Sequence, residues 1–377
     1  MNNQIVPEPD LVTLIHLGTG FSQNPERFTL IPRWKTAVAG VAMTLAASSG
    51  CASHSDSAPV SITFSDGFSP THPIGRGGAQ PFREYLEEHG PGVGLDVEYF
   101  AAGQLGKPKD ALHLLRAGAV DISPFIPAYL SNDIPLSSVG ELPGLVEDSC
   151  AGVEALMPMM KPGGRIYEEE MKEQGVVPLW GVMIPNYKVF TTNKPITRPS
   201  ELEGSLIRTP GGVGDRVVRE LGASGVILSN SDLYEAVARG TVDGAIFPEM
   251  SVKSYSLQEV LKYVADDANL YTTTVLYAVS ADQWQSFTDE QKALLGKASE
   301  VAQEGACRSL REAQESARAA ILEADVEFVH IDESAKQEWN SALTPIRDNW
   351  ISDLESVGLP ASSVLSEFED RLAKENR

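Results

Sequence analysis

The feature that most constrains the fold is a regular alternation of strand-like and helix-like segments. SITFSDGF (61–68), LDVEYF (95–100) and AVDISPFI (119–126) carry apolar and β-branched residues at strand spacing. Two amphipathic segments, 80–90 and 107–118, separate them, and both end at a glycine, which commonly stops a helix. A β-α-β-α-β order this close in sequence predicts a parallel sheet covered by helices.

The pattern then recurs in the second half of the chain. The further strand-like segments are 176–183, 188–193, 205–210, 225–229 and 241–248, and the helix-like ones are 214–223 and 232–240. LLRAGAVDIS (114–123) also resembles AVARGTVDGAI (236–246). Two similarly built lobes explain this likeness, and so does the common sequence of a helix stop followed by a strand start.

A long helical segment, 288–328, follows, and Thr288 and Gln291 have the spacing of a capping box at its start. About 36 helical residues would extend roughly 54 Å, more than one small lobe, so we expect this helix to span both lobes. Its apolar positions do not keep a 3.5-residue period, which argues against a coiled coil. Segments 334–358 and 362–376 are also helical, and 326–332 is a short strand.

The N-terminus has the pattern of an export signal. Basic residues between positions 27 and 35 precede TAVAGVAMTLAASSG (36–50), which is mostly small and apolar. This run is shorter than the roughly 20 residues that a membrane-spanning helix needs. Cys51 follows directly and is a candidate for lipidation, with ordinary cleavage nearby as the alternative. We therefore assign 1–58 to a signal segment and a tether.

Composition excludes several functions. A net charge of −22 without any run of Lys or Arg argues against nucleic-acid binding. Dinucleotide-binding, P-loop and nucleophile-elbow motifs are missing from the sequence, and its six histidines lack ligand spacing, so we expect neither enzyme activity, nor a cofactor, nor a metal. Cys150 and Cys307 could form a disulfide in an oxidising compartment or remain two buried thiols.

One stretch places a permanent cation at a strand end. In SLIRTPGGVGDRVVREL (205–221), Arg208 closes a predicted strand, and a turn containing Gly211 leads into a helix. Ligands of open parallel sheets lie at the carboxyl ends of strands, and a guanidinium matches a carboxylate through two parallel hydrogen bonds. The alternative is a structural salt bridge between Arg208 and one of the many acids.

Three stretches carry a resemblance to a known family. They are YFAAGQLGKPKDALHLLRAGAVDIS (99–123), VFTTNKPITRPSELEGSLIRTPGG (189–212) and SDLYEAVARGTVDGAIFP (231–248). In order and spacing they resemble the solute-binding proteins of TRAP transporters, the family of the C4-dicarboxylate receptor, and the resemblance runs from about residue 60 to 340. It implies a periplasmic protein that closes over an organic acid and delivers it to the small and large membrane subunits of a sodium-driven permease.

The resemblance also implies an α/β, two-lobed fold of the periplasmic-binding-protein type, each lobe a mixed, mostly parallel sheet flanked by helices. We expect lobe I to contain 59–185 and 273–312, and lobe II to contain 186–272 and 313–377. The hinge is expected in WGVMIPNY (180–187). We also expect a monomer.

The family's selectivity arginine, which pairs with the ligand carboxylate, falls on Arg208. Two departures bear on the ligand: Lys188 stands where many members have arginine, and Phe247 where many have asparagine. Lysine keeps the charge but loses the planar fork, and phenylalanine adds an apolar wall. We therefore expect a monocarboxylate with an apolar or aromatic part. Glu249 is either a hydrogen-bond acceptor for the ligand or a solvated surface acid.

Weaker ligand contacts are expected from Phe68, Phe125, Tyr187 and the backbone at Gly211. Core burial is the alternative for both phenylalanines. A receptor domain that feeds a signalling partner is the alternative function, and an enzyme on the same scaffold is a more remote one.

Overall fold

Residues 59–185, 187–268 and 270–376 are described by a computed structural model of the chain. The predicted signal segment and Cys51 lie outside these residues. Within the described part, no helix has both the length and the apolar character required to cross a membrane.

The strands are β1 (Val60–Ser65), β2 (Leu95–Phe100), β3 (Ile122–Phe125), β4 (Val176–Ile184), β5 (Tyr187–Thr191), β6 (Leu206–Thr209), β7 (Ser224–Ile227), β8 (Gly244–Pro248), β9 (Tyr263–Ala265), β10 (Thr273–Ser280) and β11 (Glu327–Val329). The α-helices are α1 (Gln80–His89), α2 (Ala111–Arg116), α3 (Ser149–Met160), α4 (Gly212–Glu220), α5 (Asn230–Ala238), α6 (Ala281–Ser286), α7 (Asp289–Leu322), α8 (Glu333–Leu343), α9 (Pro345–Ser356) and α10 (Ala361–Glu375).

The first sheet has the strand order β2-β1-β3-β10-β4. β1 is parallel to β2 and β3, as the sequence predicts, whereas β10 is antiparallel to both β3 and β4. The β10–β4 register shifts between Tyr277 and Ala278, which face Trp180 and Pro178. Proline has no N–H to give to a sheet, so an irregularity at this place lets β4 keep Pro178.

The second sheet has the order β11-β9-β5-β8-β6-β7. β6 is parallel to β7 and β8, and β5 is antiparallel to β8 and β9. The sequence prediction of two mixed sheets flanked by helices is thus confirmed. It missed β9, β10, α3 and α6.

The long helix α7 begins at the predicted capping box, in which Thr288 and Gln291 cap each other's backbone N–H. Its 34 residues extend about 51 Å. Leu295 and Ala302 pack in the main apolar cluster, and α7 contacts β4 of the first sheet. Ile321 packs in a second cluster together with Phe190 and Phe247 of the second sheet. The helix therefore contacts both sheets, as predicted.

Two chain segments cross between the sheets side by side. The Tyr187 N–H donates to the Tyr271 carbonyl over 3.2 Å, and the Leu270 N–H donates to the Tyr187 carbonyl over 3.0 Å. One of these segments joins β4 to β5, and the other joins β9 to β10. A hinge is therefore expected here. Among the C-terminal helices, α9 packs on α4 and α10 packs on α3. The boundaries of the two lobes stay a prediction.

Cys150 and Cys307 form a disulfide, with their Cα atoms 5.6 Å apart. The bond joins the first turn of α3 to the middle of α7. Of the two alternatives that the sequence leaves open, the structure therefore has the disulfide.

Candidate functional site

Arg208 lies near the carboxyl end of β6, between β7 and β8, and its side chain is fully buried. Gly211 follows in the turn before α4, with φ at +96°, a region that side chains with a Cβ rarely adopt. A Cβ there would also lie 2.7 Å from the Ala128 carbonyl oxygen. Glycine therefore lets the turn after β6 pass close to a segment that follows the first sheet's β3.

Neutral groups hold the guanidinium of Arg208. Its Nε and Nη2 donate to the Leu228 carbonyl oxygen at 2.9 and 2.7 Å, and Nη2 also reaches Asn230 Oδ1 at 2.7 Å and the Tyr129 hydroxyl at 3.3 Å. Nη1 is buried without a hydrogen-bond partner. Across the described part of the chain, Arg208 forms no ion pair with a carboxylate. The alternative of a structural salt bridge therefore finds no support in the described residues.

The guanidinium of an arginine is always charged, so the burial of Arg208 places a full positive charge in the interior. Taking such a charge out of water costs several kcal/mol, which neutral dipoles offset only in part. The free Nη1 donor and the missing counter-charge make the site complementary to an anion.

A row of aromatic rings connects Arg208 to the first sheet. The Arg208 Cζ lies 5.7 Å from the centre of the Phe247 ring, and Phe247 meets Tyr255 edge to face at 5.8 Å. Tyr255 meets His72 at 5.9 Å, and His72 meets Phe68 at 4.8 Å. The predicted wall residue Phe247 and the predicted first-lobe contact Phe68 thus belong to one aromatic row.

His72 is a neutral member of that row. Its Nδ1 accepts a hydrogen bond from the Ile74 N–H at 3.2 Å, so Nε2 carries the proton and donates to Ser251 Oγ at 3.1 Å. Burial lowers the pKa of His72 to about 3. His72 therefore adds no positive charge that would compete with Arg208. Its contact with Ser251 joins the turn after β1 of the first sheet to the turn after β8 of the second.

Asp66 fixes the turn that carries Phe68. Its carboxylate accepts hydrogen bonds from the Phe68 N–H at 3.0 Å and from the hydroxyls of Tyr277 and Tyr99, each at 2.9 Å. Burial raises the pKa of Asp66 to about 6 although these hydrogen bonds favour the ionised form. The tyrosines hold the turn in place, so the position of Phe68 depends on them.

Lys188 and Glu249, both predicted as ligand contacts, contact each other. Lys188 Nζ lies 2.5 Å from Glu249 Oε1 and 3.1 Å from Asp266 Oδ1, and all three side chains are mostly buried. Arg318 holds Asp266 with two further hydrogen bonds, at 2.9 and 2.8 Å. A charge that is already compensated has less to offer an anion, but the ligand-binding role of both residues stays a prediction.

The remaining predicted contacts lie deeper. Phe125 is fully buried in the main apolar cluster. Tyr187 is almost fully buried at the crossing, and its ring lies 4.7 Å from that of Tyr271. Burial raises the pKa of Tyr187, so its hydroxyl stays protonated.

Two more contacts close the space around Arg208. The Tyr129 hydroxyl accepts a hydrogen bond from the Asn230 N–H at 3.1 Å, and an exposed ion pair joins Lys107 and Asp232 at 2.6 Å. Each links a segment next to the first sheet with the start of α5. Tyr129 and Asn230, which also contact the guanidinium, thus help to bury Arg208.

Sequence reasoning missed Tyr129, Asn230 and Tyr255 in this site. Tyr129 stands in PFIPAY (124–129), directly after a predicted strand, which is the signal that could have found it. Tyr255 lies in a turn after β8 that carries no motif.

Two mixed sheets flanked by helices and joined by two crossing segments form the two-lobed fold of the periplasmic-binding-protein type. A family model described as bacterial extracellular solute-binding protein, family 7, matches residues 64–353, and the chain belongs to this family.

Similar proteins agree with this assignment. The chain is 27% identical over 298 residues to the C4-dicarboxylate-binding periplasmic protein DctP of Rhodobacter capsulatus. The matched region covers 77% of this chain and 86% of that protein. The fold of this chain is similar to that of a TRAP solute-binding protein from Rhodoferax ferrireducens solved with benzoate, with a TM-score of 0.75, 22% identity and coverage of 84% and 98%. A Bordetella bronchiseptica protein solved with mandelate gives a TM-score of 0.74, 22% identity and coverage of 84% and 99%.

Proposed function

We propose that the protein captures an organic acid outside the cytoplasm for uptake by a TRAP transporter, by pairing the acid's carboxylate with Arg208. The ligand class is a monocarboxylate with an apolar or aromatic part. The observation that carries the proposal is a fully buried guanidinium with a free Nη1 donor and no acidic partner in the described residues.

The apolar part of the ligand follows from what surrounds the cation. Phe247 lies beside the guanidinium, and Tyr255, His72 and Phe68 continue the aromatic surface. A second carboxylate would need a second uncompensated cation, whereas Lys188 already contacts two acids. The benzoate and mandelate of the two fold neighbours are acids of the proposed class.

Binding would proceed by hinge closure. With the two sheets apart, water reaches Arg208 and the acid enters. Closure then brings Tyr129 to Asn230 and His72 to Ser251, and the removal of water strengthens the ion pair by lowering the local dielectric constant. The chemistry is association alone, without any bond made or broken.

The delivery steps rest on family membership. An export signal, a periplasmic location and transfer to sodium-coupled small and large membrane subunits suit a relative of the periplasmic protein DctP. Lipidation at Cys51 would anchor the protein to a membrane surface.

The test begins with a thermal-shift screen of organic acids, since millimolar ligand raises the melting temperature even for modest affinity. Calorimetry then compares the wild type with Arg208→Ala for the best acid. Truncating one partner of a buried charge pair costs about 2–5 kcal/mol, so the affinity should fall roughly 30- to several-thousand-fold.

Arg219→Ala is the matched control, because it removes the same charge from α4 at an exposed position where Arg219 pairs with Asp215. Its affinity should stay within about twofold of the wild type. An unchanged affinity in Arg208→Ala would overturn the proposed role of the guanidinium.

A further inference from the structure

A second group of buried polar atoms without partners lies beside the crossing segments. It contains Oε2 of Glu141, the hydroxyl of Tyr271, and the hydroxyls of Thr273 and Thr274. Glu141 and Thr274 are fully buried, and the other two side chains are nearly so. Buried polar atoms are nearly always hydrogen-bonded, so several orphaned ones in one place indicate a partner that comes from outside the chain.

Local structure explains how these groups come together. The Thr274 N–H donates to Oε1 of Glu141 at 3.0 Å, which fixes the carboxyl group against the start of β10 and leaves Oε2 free. The Thr272 hydroxyl donates to the Gly140 carbonyl at 2.7 Å and holds the same two segments together. β10 begins at Thr273, and Tyr271 precedes it by two residues in the crossing segment.

This group lies next to the space around Arg208. A Cβ at Gly214 would overlap the Tyr271 hydroxyl, so that hydroxyl lies against the first turn of α4, the helix that Arg208 precedes. Burial raises the pKa of Tyr271, the charge of Glu141 adds to this rise, and the charge of Arg208 opposes it. The Tyr271 hydroxyl thus lies against α4, a few residues along the chain from Arg208.

We propose that Glu141, Tyr271 and Thr273 form a second polar subsite, which binds a hydroxyl group carried by the acid whose carboxylate pairs with Arg208. The proposal rests on the proposed function and narrows its ligand class to hydroxy acids. The three orphaned groups supply both donors and acceptors, and a hydroxyl, which both donates and accepts, can satisfy two of them at once.

The charge state of Glu141 fits this assignment. Burial raises the pKa of Glu141 to about 8, so at neutral pH the group is an uncharged carboxylic acid. An uncharged acid can donate a hydrogen bond without repelling an anionic ligand. A cationic part of a ligand, by contrast, would gain little from it.

The experiment compares acids that differ by one hydroxyl: benzoate with 3-hydroxybenzoate, and phenylacetate with mandelate. Calorimetry on the wild type should show that one hydroxylated member binds about tenfold or more tightly than its partner. Tyr271→Phe, which removes only a hydroxyl, should reduce this preference, measured as the ratio of the two affinities, to about twofold.

Two further variants separate a direct contact from a structural effect. Glu141→Gln keeps an uncharged hydrogen-bonding group and should retain the preference, whereas Glu141→Leu should lose it. Tyr234→Phe is the control, because its exposed hydroxyl contacts Glu259 away from these groups, and it should behave as the wild type.

The outcomes distinguish the two proposals. Equal affinity for both members of every pair, together with strong weakening in Arg208→Ala, would overturn the hydroxyl subsite alone. A hydroxyl preference that survives in both Tyr271→Phe and Glu141→Leu would do the same. A wild type that binds none of the four acids, nor any other acid in the screen, would overturn both.

Discussion

Arg208 and Lys188 are two buried cations of the second sheet with opposite surroundings. Lys188 lies on β5 between Glu249 and Asp266, so its charge is compensated within the chain. Arg208, on β6, meets only a carbonyl, an amide and a hydroxyl, and keeps one nitrogen free. Burial alone thus says little about function, and the difference in counter-charge is the observation on which the proposed ligand-binding role of Arg208 rests.

The largest expected effect tests whether the chain relies on Lys188 more than on Arg208 for its stability. Lys188→Met leaves the buried Glu249 carboxylate without its cation and should cost about 3–5 kcal/mol in the free energy of unfolding. Arg208→Met orphans only neutral acceptors and also removes a buried, uncompensated charge, so it should cost less, at most about 1–3 kcal/mol. Urea unfolding without ligand at pH 7 measures both.

A double variant sharpens this result. Lys188→Met with Glu249→Leu removes both charges and should recover most of the loss, since the two residues are in contact. A larger loss in Arg208→Met than in Lys188→Met would contradict the comparison.

Glu141 extends the comparison to a buried acid without a cation. The unfolded chain releases its proton near pH 4.5, whereas the folded chain holds it to about pH 8. The folded state therefore binds the extra proton, and this group should reduce stability progressively between pH 4.5 and pH 8, by a few kcal/mol at about 1.36 kcal/mol per pKa unit. Glu141→Gln should be more stable than the wild type at pH 8, with a smaller difference at pH 5. Urea unfolding at both values checks this, and equal differences would contradict it.

Asp266 tests the other half of the comparison, the cation Lys188 whose charge is compensated within the chain. Its hydrogen bonds with Arg318 and its contact with Lys188 lower the pKa of Asp266 to about 2 from 3.8. For an acid whose pKa is lower in the folded than in the unfolded state, the contribution to stability is complete above about pH 4. It is lost as the pH falls through the folded pKa of about 2. Asp266→Asn should lose about 1–2 kcal/mol at pH 6 and roughly a third as much at pH 2.5, because pH 2.5 is still above the folded pKa of Asp266. Thermal unfolding across this range measures the convergence, and parallel curves would show that the charge of Asp266 is immaterial.

The smallest effect is expected for the exposed pair Lys107–Asp232, which joins the segment between β2 and α2 to the first turn of α5. Exposed pairs contribute about 0.2–1 kcal/mol, so Lys107→Ala should weaken the binding of the screened acid by no more than about fivefold. Salt screens such pairs, and the difference should vanish in 1 M NaCl. Calorimetry at low and high salt checks this, and a difference that persists at high salt would point to a packing role.

The sequence predicted local elements better than long-range partners. Glycine stops, amphipathic periods and the Thr288 capping box act within a few residues, so both sheets and α7 were foreseen. β10 was missed because an antiparallel insertion between β3 and β4 depends on a return crossing that no local pattern encodes.

The same division holds for the candidate site. The place of Arg208 followed from a strand end and a glycine turn. The pairing of Lys188 with Glu249 and Asp266 joins residues far apart in the chain, and so does the contact of Glu141 with Thr274. With so many acids available, only three-dimensional proximity selects the pairs.

The disulfide between Cys150 and Cys307 fixes one part of α7 covalently, whereas the C-terminal part of the helix is held by noncovalent contacts alone. It fastens the middle of the helix to α3, on the side of the first sheet, while Ile321 and Arg318 near the other end touch the second sheet. The first sheet's side is thus tied to α7 by a covalent bond, so any movement of the second sheet relative to the first has to be taken up by the turns of α7 between Cys307 and Arg318.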